Sequence, residues 1–147
     1  MDSRKRRSSR SGFTMVELMA VLVILGLLAT VVVTNFVGKI ADAKVTTTKA
    51  SLKSLHSAVT SFYMDTGRYP TETEGLEALV VRPSDVTRWQ EGGYLDSTTV
   101  SKDGWGRDFI YRLAPESGKP FVIISLGADG QEGGEGNDAD LNSTDAN

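Results

Sequence analysis

The chain has 147 residues, 24% charged and 39% hydrophobic, which suits one folded domain with an appended element. Its net charge is −3 while residues 1–12 carry +4, so the remainder carries −3 − 4 = −7. An acidic body argues against nucleic acid as a partner, because phosphate binding needs a basic face. The sequence has no cysteine, which excludes a disulfide framework and thiolate metal sites.

An apolar segment, residues 13–33, directly follows the basic start and reads FTMVELMAVLVILGLLATVVV. Its 21 residues match the length of about 20 that a helix needs to cross the hydrocarbon core. The positive-inside rule predicts a cytoplasmic N-terminus and an exported body. A secretory signal peptide is a competing interpretation, but the residues at the end of the run match a cleavage site poorly.

One charge, Glu17, interrupts the apolar segment. A carboxylate in hydrocarbon costs about 2.5–3.5 kcal/mol, and a plain signal anchor has no reason to carry one. If the chain is cut between Gly12 and Phe13, the new α-ammonium lies about one helical turn before Glu17. That ammonium can neutralise the carboxylate within one chain or between neighbouring chains. We therefore predict that Glu17 sets the register in which copies of the chain assemble.

The segment Gly12-Phe13-Thr14-Met15-Val16-Glu17-Leu18, followed by the apolar run, resembles the prepilin signature of type IV pilins and of type II secretion pseudopilins. The resemblance implies that a membrane prepilin peptidase cuts after Gly12 and N-methylates Phe13. Residues 1–12 would then be a cleaved leader, and residues 13–33 a transmembrane and assembly helix. The chain departs from the family at Thr34-Asn35, where a proline is common.

Residues 34–65 show amphipathic helical spacing, with apolar residues three or four apart among lysines. These apolar positions are Phe36, Ile40, Ala43, Leu52, Leu55, Val59 and Phe62. Since no proline intervenes, we predict one helix from about Phe13 to about Asp65, with Gly67 as its stop signal. His56 has no other histidine or cysteine to join it, and we predict an exposed or capped side chain.

Residues 66–147 are rich in turns and predict a small body in which short elements pack on the long helix. Residues 73–81 indicate a short helix with Leu76, Leu79 and Val80 inward. Two apolar runs, Phe109–Leu113 and Phe121–Leu126, predict an antiparallel hairpin. The fold class is therefore α+β: a long N-terminal helix on a small C-terminal antiparallel sheet.

An acidic, glycine-rich loop at residues 126–141 is the candidate metal site. Calcium prefers six to eight oxygen ligands on a backbone that turns tightly, and this composition supplies both. The spacing does not fit an EF-hand. An acidic flexible tail explains the residues equally well.

Several segments are similar, in order, to the major pseudopilin family of type II secretion, the general secretion pathway protein G family. They are Arg68-Tyr69-Pro70-Thr71, Glu74-Gly75-Leu76-Glu77-Ala78-Leu79, Gly93-Tyr94-Leu95, Asp103-Gly104-Trp105-Gly106-Arg107 and Ser125-Leu126-Gly127-Ala128-Asp129-Gly130. The resemblance spans residues 12–141 and implies a pilin-like fold whose C-terminal loop binds calcium. Carried onto this sequence, it implies ligands from Asp129, Asp140 and the Leu126 carbonyl, with Asp138 and the Leu141 carbonyl second. The family usually has Asp-Pro-Trp-Gly where this chain has Asp103-Gly104-Trp105-Gly106, and a tryptophan after the loop.

The resemblance implies a major pseudopilin: a subunit that polymerises into a periplasmic pseudopilus and drives folded proteins through type II secretion. Its expected partners are other copies in a helical homopolymer, minor pseudopilins, the inner-membrane assembly platform, the prepilin peptidase/N-methyltransferase, and membrane lipid before assembly. The expected location is the bacterial inner membrane, single-pass, with a cytoplasmic N-terminus and a periplasmic body. The alternative is a type IV pilin for adhesion, motility or DNA uptake. With one histidine, no cysteine and no phosphate-binding loop, the sequence predicts no enzyme.

Overall fold

A computed structural model describes residues 12–113 and 118–145, with only the backbone for residues 31–37. Residues 1–11 of the predicted leader, and the side chains of residues 31–33 of the predicted membrane span, lie outside the described residues. The chain divides into two compact units, Met1–Gly38 and Lys39–Asn147. The elements in order are helix α1 (Met15–Thr66), a 3-10 helix (Gly75–Leu79), strand β1 (Ile110–Leu113), strand β2 (Phe121–Ser125), a 3-10 helix (Gly136–Asp138) and strand β3 (Leu141–Asn142).

The long helix predicted over about residues 13–65 is confirmed as α1. It ends where predicted, with the Gly67 amide donating to the Tyr63 carbonyl at 2.8 Å. In the second unit its apolar stripe reaches the core from Thr48 onward, whereas Ile40 stays 45% exposed. The stripe is therefore shorter than its spacing suggested.

The second unit has one hydrophobic core between the latter part of α1, the first 3-10 helix and the sheet. Its buried residues are Leu52, Leu55, Ala58, Val59, Phe62, Leu76, Ala78, Leu79, Val86, Phe109, Phe121 and Ile123. The predicted inward positions Leu76 and Leu79 are confirmed as buried, in a 3-10 rather than an α-helix. Burial of these apolar side chains is the main stabilising term for a body of this size.

The three strands form one antiparallel sheet in the order β1-β2-β3. The predicted hairpin is confirmed, with Ile110 opposite Ile124 and Leu113 opposite Phe121. Strand β3 adds to the free edge of β2, where Leu141 pairs with Ser125. A two-residue strand carries no readable periodicity, so the sequence did not predict it. Its pairing ties the far end of the acidic loop to the strand from which the loop departs.

The turn at residues 103–107 packs against α1 through Gly104. A Cβ at Gly104 would lie 2.5 Å from the Lys44 carbonyl oxygen, and the Gly104 amide donates to the buried Thr48 hydroxyl at 2.8 Å. That hydroxyl in turn donates to the Lys44 carbonyl at 2.8 Å. A proline here would have no amide hydrogen to donate. Glycine at this departure from the family pattern thus permits a close contact that proline cannot make.

Candidate assembly and metal-binding sites

The start of α1 is held by a reciprocal hydrogen-bond pair between Thr14 and Glu17. The Glu17 carboxylate accepts the Thr14 amide at 2.8 Å, and the Thr14 hydroxyl accepts the Glu17 amide at 3.2 Å. This is a capping box, with threonine at the N-cap and glutamate three residues later. The Thr14-x-x-Glu17 spacing is a sequence signal for this motif that was not among the predictions. The predicted processing residues Gly12 and Phe13 precede the helix, and Phe13 is 82% exposed.

Large apolar side chains cover the first part of α1 and are exposed. Between Met15 and Leu28 their exposed fractions run from 48% at Val21 to 83% at Met15. Glu17 is the only charged residue in this stretch. Among the described residues, no helix meets both the length and the apolarity required of a membrane span. The membrane span at residues 13–33 stays a prediction.

The predicted calcium ligands lie at two ends of the acidic loop, which folds back on itself. Leu126 and Asp129 lie at its start, where the Leu126 carbonyl accepts the Gly130 amide at 3.1 Å. Asp138 and Asp140 lie at its end, just before Leu141 in β3. The two ends meet through the Ala128 amide, which donates to the Asn137 carbonyl at 3.0 Å. The fold therefore brings together both parts of the predicted ligand set.

Asp140 is the side chain in this loop whose surroundings most strongly indicate a bound cation. Its Oδ2 accepts the Gly133 amide at 3.0 Å, whereas its Oδ1 is buried and has no hydrogen-bond partner within the described part of the chain. A buried carboxylate oxygen without a donor is costly unless a cation or water satisfies it. Asp129 and Asp138 are exposed. Among the described residues, no three histidine or acidic side chains converge as a metal site, so backbone oxygens would have to complete any ligand set.

Backbone oxygens are concentrated at the same place. A Cβ at Gly127 would lie 2.7 Å from the Asp138 carbonyl oxygen and 2.8 Å from that of Ala139. A Cβ at Gly134 would lie 2.5 Å from the Asp138 carbonyl oxygen. Both glycines have positive φ, which other residues adopt only with strain. Calcium accepts backbone carbonyl and carboxylate oxygens as ligands, and this loop contains both, so the residues present fit that ion.

A cluster of three charged side chains fixes the segment that follows α1. Arg68 contacts Glu74 through two nitrogens, each at 2.8 Å, and contacts Asp85 at 2.8 Å. Glu74 also accepts the Thr71 amide at 2.8 Å, and its own amide donates to the Thr71 hydroxyl at 3.2 Å. The Arg68 guanidinium, and then these Thr71 hydrogen bonds, lower the pKa of Glu74 to about 2 against the opposing effect of burial. The cluster joins two of the segments that carried the family resemblance to Asp85 and has a structural role.

His56 borders a cleft of about 270 Å³ that Lys53, Lys119 and Phe121 also line. Its Nδ1 lies 3.3 Å from the Ser143 hydroxyl, and its ring lies 4.7 Å from that of Phe121. Burial, and then the nearby Lys119 charge, lower the pKa of His56. No carboxylate bonds to His56 among the described residues. The pair therefore lacks the orienting acid of a catalytic triad and instead connects α1 to the end of the sheet.

A long N-terminal helix with a prepilin-like start, followed by a small antiparallel sheet with a returning acidic loop, defines the pilin-like class of fibre subunits. Residues 35–144 match the family model described as type II secretion system protein G, and residues 7–33 match the prokaryotic N-terminal methylation motif. The chain therefore belongs to the type II secretion system protein G family.

Curated relatives and a solved structure agree with this assignment. The chain is 43% identical to the type II secretion system core protein G of Pseudomonas aeruginosa, over 95% of this chain and 99% of the relative. The relative of the same name from Vibrio cholerae is 40% identical, over 93% of each chain. The crystal structure of the major pseudopilin from enterohaemorrhagic Escherichia coli aligns with a TM-score of 0.61 at 27% identity, covering 74% of this chain and 92% of that one.

The predicted fold and the predicted role as a major pseudopilin are thus confirmed, and the type IV pilin alternative is not favoured. The matching relatives are structural subunits rather than known enzymes. Family membership with the methylation motif implies a membrane-anchored subunit of a periplasmic pseudopilus. The individual ligand, processing and assembly residues stay predictions.

Proposed function

We propose that this chain is cut after Gly12 and methylated on Phe13 by the prepilin peptidase/N-methyltransferase, and then polymerises as a helical homopolymer. The resulting pseudopilus drives folded proteins out of the periplasm, and the subunit has no catalytic role of its own. Before assembly the chain crosses the inner membrane once, with its N-terminus cytoplasmic and its body periplasmic. Minor pseudopilins and the inner-membrane assembly platform are its other partners.

The observation that carries this proposal is the exposed apolar surface of α1 with a single carboxylate on it. Leu18, Leu22 and Leu25 are each more than half exposed. Each such side chain gains about 1.5–3 kcal/mol when it is fully removed from water, so this surface requires lipid or other copies of the helix. The Glu17 carboxylate is unfavourable both in lipid and among apolar helices unless a positive group neutralises it. A neighbouring subunit's methylated amino terminus would provide that group.

Three variants separate the charge of Glu17 from its capping role. Glu17→Gln removes the charge but keeps the capping box, because glutamine serves there as well as glutamate. Thr14→Ala removes the hydroxyl that accepts the Glu17 amide, and keeps the charge and the bond from the backbone amide of residue 14 to the carboxylate. Glu17→Ala removes the charge and the carboxylate side of the capping box. Pseudopilus yield and membrane insertion are measured for each variant in cells that carry the remaining secretion proteins.

If Glu17 pairs with a neighbouring amino terminus, Glu17→Gln and Glu17→Ala abolish fibres while membrane insertion continues, and Thr14→Ala still assembles. Wild-type fibre yield from Glu17→Gln would refute the pairing. Loss of fibres from Thr14→Ala alone would assign Glu17 to helix capping. Mass spectrometry of the membrane-derived chain is expected to show N-methyl-Phe13 as its first residue, and a retained basic leader would contradict the processing.

We also propose that the loop of residues 126–141 holds calcium. Asp140 and Asp129 would bind through carboxylates and Leu126 through its carbonyl, with Asp138 and the Leu141 carbonyl as further ligands. A bound calcium ion would neutralise part of the negative charge of the loop's carboxylates. The unsatisfied Asp140 Oδ1 and the carbonyls packed around Gly127 support this proposal.

Chelation tests the calcium proposal on the full chain in detergent micelles. EGTA is expected to lower the melting temperature of the wild type and of Glu135→Gln, an exposed loop variant outside the ligand set. Asp140→Asn keeps an acceptor for the Gly133 amide but loses the charge, so its melting temperature should not respond to EGTA. A wild type that melts identically with EGTA and with millimolar calcium would overturn the proposal.

A further inference from the structure

The neck of the acidic loop, residues 126–130, is held by a side chain from another part of the body. Arg107 donates from one terminal nitrogen to the Gly127 carbonyl at 2.5 Å and from the other to the Ala128 carbonyl at 2.8 Å. Charge-assisted hydrogen bonds of this kind are about twice as strong as neutral ones. The first turn of the loop is thus fixed to the turn at residues 103–107.

The backbone beside the guanidinium is shaped to receive it. A Cβ at Gly130 would lie 2.8 Å from both Cζ and Nε of Arg107, so the planar group packs directly on the glycine backbone. Gly130 also has φ +72°, and its amide closes the neck on the Leu126 carbonyl at 3.1 Å. Arg107 and Gly130 therefore form a fitted pair rather than a chance surface contact.

Arg107 is itself held rigidly. Its amide donates to Asp103 Oδ1 at 2.8 Å, and its carbonyl accepts the Asp103 amide at 2.9 Å. The other oxygen of Asp103 accepts the buried Ser125 hydroxyl at 2.7 Å. Ser125 is the last residue of β2, directly before the neck. A continuous hydrogen-bond network thus runs from the end of β2 through Asp103 and Arg107 back to the loop.

The network places a permanent positive charge, the Arg107 guanidinium, against a strongly acidic segment. Residues 126–141 contain five carboxylates, Asp129, Glu132, Glu135, Asp138 and Asp140, and no lysine or arginine. An arginine does not deprotonate in proteins, so its charge and its donors are constant. The contacts go to backbone carbonyls rather than to these carboxylates. Arg107 therefore acts on the shape of the neck more directly than on the charge of the loop.

We propose that Arg107 is a positioning residue that orders the loop neck before any metal binds, so that the Leu126 carbonyl is already in place for a divalent cation. This inference rests on the calcium binding proposed above. Without Arg107, the metal would have to order the neck itself. Fixing the backbone of a residue costs conformational entropy, which would be taken from the binding free energy.

Two opposing effects determine how the loss of Arg107 changes the calcium affinity, and the proposal predicts that the affinity falls. Removing a positive charge near a cation site strengthens metal binding through electrostatics. Removing a group that pre-orders the ligands weakens it. We expect Arg107→Gln to weaken the calcium affinity about tenfold, which is about 1.4 kcal/mol. Arg107→Lys keeps the charge with one point donor and should restore part of the affinity.

The matched control is Arg112→Gln. Arg112 also reaches the loop, at 2.7 Å from Glu132, but through an exposed pair of side chains, 51% and 70% exposed. Exposed ion pairs contribute little to stability, so this variant should bind calcium within a few-fold of wild type. Calcium affinity is measured by titration calorimetry on the full chain in detergent micelles, well below the melting temperature of every variant. Equal or tighter binding by Arg107→Gln would overturn the proposal.

Amide hydrogen exchange in EGTA provides an experimental arm that tests the ordering role of Arg107 without any metal. The Ala128 and Gly130 amides are hydrogen-bonded in the folded neck. We expect them to be protected in the wild type and in Arg112→Gln, and to lose at least tenfold of that protection in Arg107→Gln. Unchanged protection would overturn the ordering role. If wild-type calorimetry shows no calcium binding, the calcium proposal fails, and this arm still decides whether Arg107 orders the neck.

Discussion

Large apolar side chains are exposed in the first unit of the chain and buried in the core of the second. In the unit up to Gly38, leucine, valine and isoleucine side chains from Val16 to Leu28 are 48–75% exposed. In the unit from Lys39 onward, the core residues are at most 9% exposed. The second unit therefore buries its apolar side chains internally, whereas the first leaves a large apolar surface exposed. Buried and exposed apolar residues are thus separated along one helix.

The largest expected effect comes from a matched pair of truncations on α1. Phe62 is fully buried and packs edge-to-face against Tyr94, with ring centroids 5.5 Å apart, so Phe62→Ala should destabilise the body by about 3–5 kcal/mol. Leu25 is 55% exposed, and Leu25→Ala should leave the unfolding of the body unchanged. Thermal unfolding of both variants in micelles checks this, with a drop of more than about 10 °C expected for Phe62→Ala only. A similar drop for Leu25→Ala would break the comparison.

Acid provides a test of the charged cluster in the second unit. The folded-state pKa of Glu74 is about 2, below its ordinary 4.5, chiefly because of hydrogen bonding to Arg68. A lowered carboxyl pKa stabilises the fold above the unfolded value, and this contribution is lost as pH falls from about 4.5 towards 2. Glu74→Gln should therefore cost about 1.5–3 kcal/mol at pH 7, since it breaks charge-assisted hydrogen bonds. The difference from wild type should shrink below pH 4.5 in pH-dependent unfolding, and a constant difference would contradict the assignment.

A smaller effect is expected where α1 meets the turn at residues 103–107. Thr48→Val keeps the shape of the buried side chain but removes the acceptor for the Gly104 amide. An unsatisfied buried donor costs about 1–3 kcal/mol, and the lost hydroxyl bond to the Lys44 carbonyl lies within that range. Thr46→Val is the control, because Thr46 is exposed and bonds to its own helix at 2.9 Å. Denaturant unfolding should separate the two variants, and equal midpoints would show that the turn is not anchored through Thr48.

The sequence predicted the elements whose signals are local. The apolar spacing of Leu52, Leu55 and Val59 located the helix, and the two apolar runs located the hairpin within a residue or two. The 3-10 form of Gly75–Leu79 and the two-residue β3 have no periodic signal of sufficient length. The capping box at Thr14 and Glu17 could have been predicted from the Thr-x-x-Glu spacing, which is a local signal as well.

The contacts that the sequence could not predict join residues far apart in the chain. The bonds of Arg68 to Asp85, and of Arg107 to the Gly127 and Ala128 carbonyls, depend on how turns meet after the core has formed. The predicted ligand residues of the loop lie at its two ends, and their role as ligands stays a prediction. The feature that distinguishes Asp140 among them is the burial of one oxygen, and burial of a single atom follows from tertiary packing rather than composition.

The smallest effect should remain confined to the first unit. Thr14→Ala removes the N-cap side chain of α1, and such a change costs about 0.5–2 kcal/mol of local helix stability. The amides of the first helical turn, including the Glu17 amide that bonds to the Thr14 hydroxyl at 3.2 Å, should exchange faster in micelles. Thr14→Ser preserves the acceptor and should exchange like the wild type. Because the core of the body lies entirely beyond Gly38, its melting temperature should not move, and a shift there would show that the two units share their stability.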